Sequence, residues 1–399
     1  MRIGLVTGEY PPLEGGVGAF TEQLARALHA RGHEIHVITT RRARPDDAPR
    51  KASALFEPVA LDYGWLHPRV GRWRWPSLST VADVVLRHEL EIVNVQYQAA
   101  AYNMRALAIH FLPWRLRGVA PTVVTFHDLR APYLFPKSGG LRQATVRGLA
   151  RRAAGCIATN AADLATLGDW MDAPLREIPI GSNIDAYEPN HVEIAEVREG
   201  LGLGGDDVLL GYFGFLNETK GADTLLDALA RLDDRYHLVF IGGQTGASDP
   251  RNNEAFLRGL RGQIDALGLG DRVHWTGFLS PARVSAHLAA ADLMVMPYRD
   301  GVSLRRGTLM AVLAHGRPLL TTAPVAAAPV PELRHGENVW LVPPDDATAL
   351  AAAITVLAAD PGQRAQLGRG AREVAGLFDW GRIAGLTADF YAEVIAGVG

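Results

Sequence analysis

Short runs of β-branched and other apolar residues alternate with segments of helical periodicity, and this alternation constrains the fold more than any other feature of the chain. Residues 18–30 illustrate the second kind of segment, because their apolar positions recur at helical spacing. The pattern is typical of βαβ units and predicts a parallel, doubly wound sheet whose ligands gather at the carboxyl ends of the strands. In the first half the predicted strands are residues 3–7, 35–39, 92–96, 122–126 and 156–159.

The pattern breaks over a polar stretch near residues 178–185 and then starts again. A domain usually holds about 100–200 residues, so a chain of 399 residues is long enough for two. We therefore expect an α/β protein of two Rossmann-like domains, residues 1–185 and 186–379, that face a cleft. In the second half the predicted strands are residues 209–213, 237–241, 273–275, 293–296, 318–321 and 339–342.

Composition narrows the class of protein. Apolar residues make up 48% of the chain and charged residues 21%, which is typical of a globular protein. No stretch approaches 18 uninterrupted apolar residues, and the single cysteine, Cys156, cannot form an internal disulfide, so we expect a cytoplasmic protein without a membrane span. A net charge of −3 does not favour nucleic acid. The arginine clusters at 41–44 and 147–152 are expected to be solvated surface, with membrane association peripheral at most.

A glycine-rich segment follows the first predicted strand and opens a helix, with Gly15, Gly16 and Gly18 as its glycines. Backbone N–H groups at a helix N-terminus can bind a diphosphate, and glycine lets the backbone approach it closely. The spacing is not that of a dinucleotide fingerprint, which argues against a nicotinamide dehydrogenase. A plain tight turn is an equally good interpretation of these residues.

Lysine is rare in this chain, since Lys51, Lys137 and Lys220 are the only three. Lys220 lies in a glycine-bracketed loop between the predicted strand 209–213 and a helix. An ammonium at that place would stabilise negative charge that develops on a leaving diphosphate. The alternative is a surface lysine in a turn.

A second group of cations follows the predicted strand 293–296. A polar, glycine-containing turn carries Arg305 and Arg306 and leads into an apolar helix. Arginines in such a turn can bind phosphate at the helix N-terminus, so we expect at least one of them to do so. Two ordinary surface arginines are the alternative.

Taken in order, six segments resemble those of retaining glycosyltransferases of family 4. The resemblance covers nearly the whole chain and is densest over residues 209–346. It implies the GT-B fold and transfer of a sugar from a nucleotide-sugar donor of the UDP, GDP or ADP type, with retention at the anomeric carbon. The segments are GGVG at 15–18, KG at 220–221, VHWTGF at 273–278, ADL at 291–293, AHGRP at 314–318, and GEN at 336–338 with LVP at 341–343.

The resemblance also implies roles for individual residues. It places the glycine loop and Lys220 at the donor diphosphate, and His127 near the donor sugar and the acceptor. The backbone at Phe278 and Leu279 resembles the segment that contacts the base. The final helix, residues 380–399, resembles one that packs back on the first domain.

Two departures from the family pattern concern the donor pocket. The family's two glutamates, eight positions apart, align with Val302 and Met310, which cannot replace them. Asp300 is a candidate for a displaced carboxylate, and Ser303 and Thr308 are candidates for hydroxyl contacts with the sugar or ribose. The family's arginine beside the diphosphate aligns with Phe215, so Arg305 or Arg306 is expected to supply that charge.

The implied reaction has the acceptor hydroxyl attack on the face of the leaving group, which needs no protein nucleophile. The candidate cations stabilise the diphosphate, so no metal and no further cofactor is expected. The acceptor, whether a small molecule, a lipid-linked group or a glycan, and the oligomeric state are not predicted.

Two other functions fit the same fold. One is a non-catalytic scaffold that binds glycans or nucleotides, and the other is a sugar phosphorylase that consumes free phosphate. Turnover across a panel of nucleotide sugars distinguishes both from a transferase.

Overall fold

The computed structural model describes residues 1–13, 15–45, 57–104, 106–131, 139–182, 184–243, 250–326 and 329–398. They form two compact units. The first comprises Met1–Ile180 together with Trp380–Gly399, and the second comprises Gly181–Asp379.

The first unit is built on an eight-stranded sheet. Its strands are β1 (Arg2–Thr7), β2 (Glu34–Thr40), β3 (Val59–Leu61), β4 (Gly64–Val70), β5 (Ile92–Tyr97), β6 (Thr122–Phe126), β7 (Gly155–Ala158) and β8 (Leu175–Glu177). Its helices up to that point are α1 (Gly16–Ala30), α2 (Trp75–Arg87), α3 (Leu112–Arg115), α4 (Gly139–Arg152) and α5 (Ala161–Gly168). The strand order is β3-β4-β2-β1-β5-β6-β7-β8, and all neighbours are parallel except β3 and β4.

The second unit is built on a six-stranded sheet in which every pair is parallel. Its strands are β9 (Val208–Phe213), β10 (Tyr236–Ile241), β11 (Val273–Trp275), β12 (Leu293–Met296), β13 (Leu319–Thr322) and β14 (Trp340–Val342). Its helices are α6 (His191–Gly200), α7 (Ala222–Leu229), α8 (Pro250–Ala266), α9 (Pro281–Ala290), α10 (Gly307–Ala314), α11 (Ala347–Ala359) and α12 (Pro361–Ala375). The order is β11-β10-β9-β12-β13-β14.

The prediction of doubly wound parallel sheets in both halves is confirmed. The central strands β5 and β12 are buried on both faces, as parallel sheets covered by helices require. β12 is a continuous apolar run, whereas β5 also carries the buried polar residues Asn94 and Gln96. The predicted strands at 273–275 and 293–296 coincide with β11 and β12. The strand predicted at 156–159 is one residue late, because β7 begins at Gly155.

Each sheet has one place where the strand order reverses. In the first unit the chain runs from β1 to β2 on one side and returns to β5 on the other. In the second unit the same reversal lies between β9 and β12. Ligands of doubly wound folds bind outside the carboxyl ends of the strands at such a point. We therefore expect ligands to bind at the loops that follow β1, β5, β9 and β12.

The last helix, α13 (Trp380–Val398), belongs to the first unit. The Asn94 side-chain amide in β5 donates to the Tyr391 hydroxyl at 2.5 Å, and both residues are buried. The Trp380 ring lies 5.2 Å from the ring of Phe20 in α1. Helix α13 therefore completes the core of the first unit, although Tyr391 is 297 positions from Asn94 in sequence.

No helix in the described parts of the chain is both long enough and apolar enough to cross a membrane.

Candidate functional site

Lys220 ends a short 3-10 turn between β9 and α7. The Asn217 side chain accepts from the Thr219 backbone N–H at 3.1 Å and fixes the start of this turn. Gly221 follows with φ of +69°, and a Cβ there would lie 1.9 Å from the Pro297 carbonyl oxygen. Only glycine allows both the left-handed conformation and this close approach, so the loop after β9 is held against the end of β12.

The Lys220 side chain is half-buried, and its ammonium lies 5.2 Å from the centre of the Tyr298 ring. Burial and, to a smaller extent, the charge of Arg306 lower the pKa of Lys220 to about 7, although Asp300 acts in the opposite direction. Within the part of the chain that the structure describes, this ammonium has no hydrogen bond and no ion pair. It is a half-buried cation that pairs directly with no anion of the described residues.

Arg306 stands at the N-cap of α10, directly after the loop that follows β12. Its guanidinium lies 3.6 Å from the centre of the Tyr298 ring, on the same aromatic ring that Lys220 approaches. One of its nitrogens, Nη2, bonds to Asp300, whereas Nη1 is buried and has no hydrogen-bond partner among the described residues. Arg306 therefore has a buried donor without an acceptor, beside an ammonium without an anion.

The structure separates the two arginines that the sequence offered as equivalent candidates. Arg305 is exposed, and its Nε donates to the Ser303 hydroxyl at 3.1 Å. Only 12% of the Arg306 side chain is exposed, and it is Arg306 that contacts the ring beside Lys220. Ser303 thus accepts a hydrogen bond from Arg305, and Asp300 accepts one from Arg306.

Arg299 is a residue of this region that sequence reasoning missed. Its side chain forms ion pairs with Asp223 in α7 and, at 2.9 Å, with Asp345, while its backbone N–H donates to the Thr219 carbonyl at 3.0 Å. These contacts join the turn of Lys220 to the loop after β12. The arginine is adjacent to Tyr298 in sequence, but nothing in the sequence distinguishes it from the other arginines of that loop.

The two positions that align with the family's glutamates are apolar and buried. Val302 and Met310 are each 2% exposed. Thr308 lies in the first turn of α10, where its side chain would be 3.1 Å from a Cβ built on Gly214. The hydroxyl of Thr308 is therefore next to the loop that leads from β9 to Lys220.

In the first unit, the glycine segment that begins at Gly15, the N-cap of α1, and continues into the first turn of that helix holds a carboxylate of its own chain. Oε1 of Glu9 accepts from the backbone N–H groups of Val17 at 3.0 Å and Gly18 at 3.3 Å. Burial raises the pKa of Glu9, and the two N–H groups oppose that shift. A Cβ on Gly15 would lie 2.1 Å from Glu9, and one on Gly18 would lie 3.1 Å from it, whereas one on Gly16 would meet no atom within 4 Å. Gly15 and Gly18 thus make room for Glu9, and Gly16 is the open position.

His127 directly follows β6, at the edge of the sheet where the glycine loop lies. Its Nε2 is 2.9 Å from the Gln96 side-chain oxygen, which can only accept, so His127 donates through Nε2 and keeps Nδ1 as an acceptor. Burial lowers the pKa of His127 to about 3. Its ring packs edge-on against Phe20 of α1 at 4.7 Å. His127 is therefore a neutral, oriented imidazole beside the helix that carries the glycine loop.

Phe278 and Leu279 follow β11, at the far end of the second sheet from β14. The Phe278 side chain is 72% exposed, which is unusual for a large apolar residue. The preceding Thr276 hydroxyl accepts from the backbone N–H of Gly242 at 3.0 Å, so the loops after β10 and β11 are tied together. An exposed aromatic ring thus lies on the same carboxyl edge as Lys220 and Arg306.

The structure therefore groups the candidates within each unit. Lys220, Arg306, Asp300 and Thr308 lie at the reversal between β9 and β12, and Phe278 lies at the edge strand of that sheet. The glycine loop and His127 form a second group in the first unit.

Two protein families match the chain, one in each unit. The family described as Glycosyltransferase Family 4 matches residues 14–185. The family described as Glycosyl transferases group 1 matches residues 207–360.

Individual relatives match over nearly their whole length. A D-inositol 3-phosphate glycosyltransferase of Xylanimonas cellulosilytica is 25% identical, over 98% of this chain and 96% of that protein. A GDP-mannose-dependent alpha-(1-6)-phosphatidylinositol monomannoside mannosyltransferase of Mycobacterium tuberculosis is 26% identical, over 98% and 97%. Among solved structures, Anabaena HepE in complex with UDP-glucose is similar with a TM-score of 0.72, at 20% identity over 98% of this chain and 100% of that one.

Proposed function

The chain belongs to glycosyltransferase family 4 and has GT-B architecture, and from this premise we propose that it transfers a sugar from a nucleotide-sugar donor to an acceptor hydroxyl with retention at the anomeric carbon. The relative from Mycobacterium tuberculosis is named for a GDP-mannose donor, and HepE was solved with UDP-glucose. These names support a nucleoside diphosphate sugar as the class of donor. The base and the sugar are left open by the proposal.

One observation carries the proposal. Lys220 and Arg306 contact one aromatic ring, Lys220 has no anionic partner, and Arg306 has a buried N–H without an acceptor, all within the described residues. Two neighbouring positive charges repel each other, and a buried unpaired donor costs free energy. Both costs are removed when an anion with several oxygens binds between them. A diphosphate is such an anion, and it has the right charge for Lys220 and Arg306.

The proposed role of these cations is to stabilise the leaving group. As the bond between the sugar and the diphosphate breaks, negative charge develops on the phosphate oxygen. Lys220 and Arg306 are already in place through Gly221, Asp300 and Tyr298, so little reorganisation is needed during the reaction. Preorganised charge of this kind is usually the largest single contribution to catalysis.

On the side of the first unit, we assign His127 to the sugar and the acceptor. Its neutral ring offers Nδ1 as an acceptor, which suits a contact with a hydroxyl group rather than with a phosphate. The backbone N–H groups of Gly15 and Gly16 are the part of the glycine loop assigned to the diphosphate. The amide of Gly18 already donates to Glu9, so we assign Gly18 to packing.

The remaining assignments concern the rest of the donor. Phe278 and Leu279 are assigned to the base, which an exposed aromatic ring can stack against. Asp300, Ser303 and Thr308 are assigned to the sugar and ribose, where Val302 and Met310 have no polar group to offer. Because Asp300 is bonded to Arg306 and Ser303 to Arg305, Thr308 is the best placed of the three.

The adjacent arginines give a matched test of the proposed site. We expect one of UDP, GDP or ADP to raise the Tm of the wild-type protein and of Arg305→Ala, but to raise that of Arg306→Ala much less. Loss of a charge-assisted hydrogen bond costs about 1.5–3 kcal/mol, which is roughly a ten- to hundredfold loss of affinity. Binding of the matching nucleoside without phosphates should change little in either variant.

Two outcomes would contradict the proposal. If Arg305→Ala and Arg306→Ala reduced the nucleotide-induced rise in Tm equally, Arg306 would not be the arginine that contacts the diphosphate. Absence of a Tm shift with every nucleotide, together with no turnover of any nucleotide sugar, would favour the non-catalytic scaffold. If a donor is found, NMR of the anomeric proton of the product tests retention.

A further inference from the structure

Three histidines meet in the first unit, away from every residue assigned to sugar transfer. His36 lies in β2 and His67 in the neighbouring β4, and both are 1% exposed. In the parallel register Ile38 pairs with His67, so His67 points to the same face of the sheet as Ile38 and therefore as His36. His88 directly follows α2 and is half-buried. Three separate segments thus bring their imidazoles to one place.

The distances suit shared coordination of a metal ion. One ring nitrogen from each histidine lies within 4.8 Å of those of the other two, and His36 Nδ1 is 3.0 Å from His67 Nε2. Zinc–nitrogen bonds of about 2.0–2.1 Å in a tetrahedral site put ligand nitrogens about 3.3 Å apart. The pair of His36 and His67 is already near that spacing. Adjustment of the half-buried His88 ring brings in the third ligand.

A carboxylate orients the first of these rings. The Nε2 atom of His36 lies 2.9 Å from Oε1 of Glu34, which fixes Nε2 as a donor and turns the lone pair of Nδ1 towards His67. Ligand histidines of metal sites commonly donate their second N–H to a carboxylate in this way, and the contact makes the ligating nitrogen more basic. In the metal-free chain the Nε2 atom of His67 donates to this lone pair at 3.0 Å, and a bound metal ion would take the place of that proton.

The charges near the cluster tolerate a cation. Arg2 and Arg69 are the neighbouring positive groups, but Arg2 is paired with Glu89 at 2.9 Å and Arg69 with Asp83 at 2.8 Å. The side chain of Glu34 adds a further negative charge.

We propose that His36, His67 and His88 bind one zinc-class divalent transition metal ion, with Glu34 as the positioning residue for His36. Three imidazoles leave one coordination position for water, and such nitrogen ligands suit Zn²⁺ better than Mg²⁺ or Ca²⁺. The ion joins β2, β4 and the end of α2, so its role is to stabilise the first unit. The inference does not depend on the proposed transfer reaction, because the ion takes no part in it.

The test is titration of the full chain with Zn²⁺ alone by isothermal calorimetry, after treatment with EDTA and dialysis. We expect one ion per chain at micromolar or tighter affinity, and a higher Tm with Zn²⁺ bound. His88→Ala removes a half-buried ligand at a helix end, so the variant should fold, which circular dichroism checks. His88→Ala should bind Zn²⁺ at least tenfold more weakly than the wild type. Glu34→Gln should lower the affinity for Zn²⁺ by about ten- to hundredfold.

His274→Ala is the matched control. His237 and His274 form a stacked pair in the second unit, with Nδ1 of His237 3.3 Å from Nε2 of His274, and no third imidazole joins them in the described part of the chain. The variant His274→Ala should therefore bind Zn²⁺ with the affinity of the wild type and show the same rise in Tm. The inference is overturned if the wild-type chain binds no stoichiometric Zn²⁺. It is also overturned if a folded His88→Ala binds Zn²⁺ as tightly as the wild type does, whereas binding lost in that variant alone supports it.

Discussion

Lys220 and Arg306 illustrate how much of the proposed chemistry depends on single residues. A half-buried ammonium beside a guanidinium is unfavourable in the free protein, and the pKa of about 7 for Lys220 expresses that cost. The cost is recovered when an anion binds. The same contacts therefore explain why the free site is strained electrostatically and why a diphosphate would bind there.

This pKa predicts how binding depends on pH. Below about pH 7 the free Lys220 is charged, and above it the ammonium must regain a proton when an anion binds. The affinity for a nucleoside diphosphate should then fall as pH rises, by up to about tenfold per pH unit for the one proton taken up. Calorimetry between pH 7.5 and 9, where the second phosphate ionisation near pH 6 is complete, measures this slope.

The variant Lys220→Ala provides the control for that pH dependence. It should bind more weakly than the wild type at pH 7.5, with an affinity that stays nearly constant up to pH 9. If the wild type and the variant have the same slope, the pH dependence belongs to another group and Lys220 does not contact the diphosphate.

His127 should affect turnover and not nucleotide binding. We expect His127→Ala to lower kcat by about tenfold or more, which is the loss of one positioning hydrogen bond, while the Kd for the nucleoside diphosphate stays the same. His29→Ala, an exposed histidine of the same unit, should leave both unchanged. Since the pKa of His127 is about 3, its removal should not change the shape of the pH–rate profile between pH 5 and 9. Loss of nucleotide affinity would contradict its assignment to the acceptor.

At the scale of elements, the loops that follow β9 and β12 hold the proposed site, and Gly221 joins them. Gly221→Ala would force a side chain into the left-handed region, at about 1–2 kcal/mol, and would overlap the Pro297 carbonyl oxygen. We expect a loss of about 2 kcal/mol or more in the free energy of unfolding of the second unit, measured by urea denaturation. Nucleotide affinity should fall as well, because the Lys220 turn is displaced.

Gly259→Ala is the control for that substitution. Gly259 lies inside α8, is exposed, and has open space where a Cβ would stand. Alanine there should raise the free energy of unfolding by up to about 1 kcal/mol. If both substitutions had similar effects, the close approach at Gly221 would not be what holds the loop.

The strands show what periodicity can and cannot predict. A buried central strand such as β12 is an apolar run, so its bounds follow directly from the sequence. The strands β3, β4 and β8 were not predicted. The first and last have three residues each, and β4 contains Gly64 and Pro68, which are uncommon inside strands. β3 and β8 are the edge strands of the sheet, and β4 lies between β3 and β2. All three form because neighbouring strands offer pairing, which is a tertiary effect.

The candidate site, like the strands, could be predicted from the sequence only in part. The scarcity of lysine and the glycine loop were visible in the sequence, and so were the apolar residues Val302 and Met310 at the positions where the resemblance implies glutamates. The difference between Arg305 and Arg306 was not, because it depends on which guanidinium reaches the Tyr298 ring. The role of Glu9 was also missed, since a carboxylate seven residues before helix α1 gives no signal that it will accept from the amides of that helix.

At the scale of the whole molecule, each unit brings a different part of the proposed reaction. The second unit carries the cations and the exposed Phe278, and the first carries the glycine loop and His127. One glycosyltransferase family matches in each unit, over residues 14–185 and 207–360. The pair of Lys220 and Arg306 is the element of this account on which the proposed function depends most.

The most direct test of that account is release of nucleoside diphosphate from a panel of UDP-, GDP- and ADP-sugars, measured for the wild type and Lys220→Ala under the same conditions. We predict that the wild type releases diphosphate from at least one donor and that Lys220→Ala does so about a hundredfold more slowly, because the charge on the leaving group is no longer stabilised. A rate for Lys220→Ala near that of the wild type, or release from no donor by either protein, would contradict it.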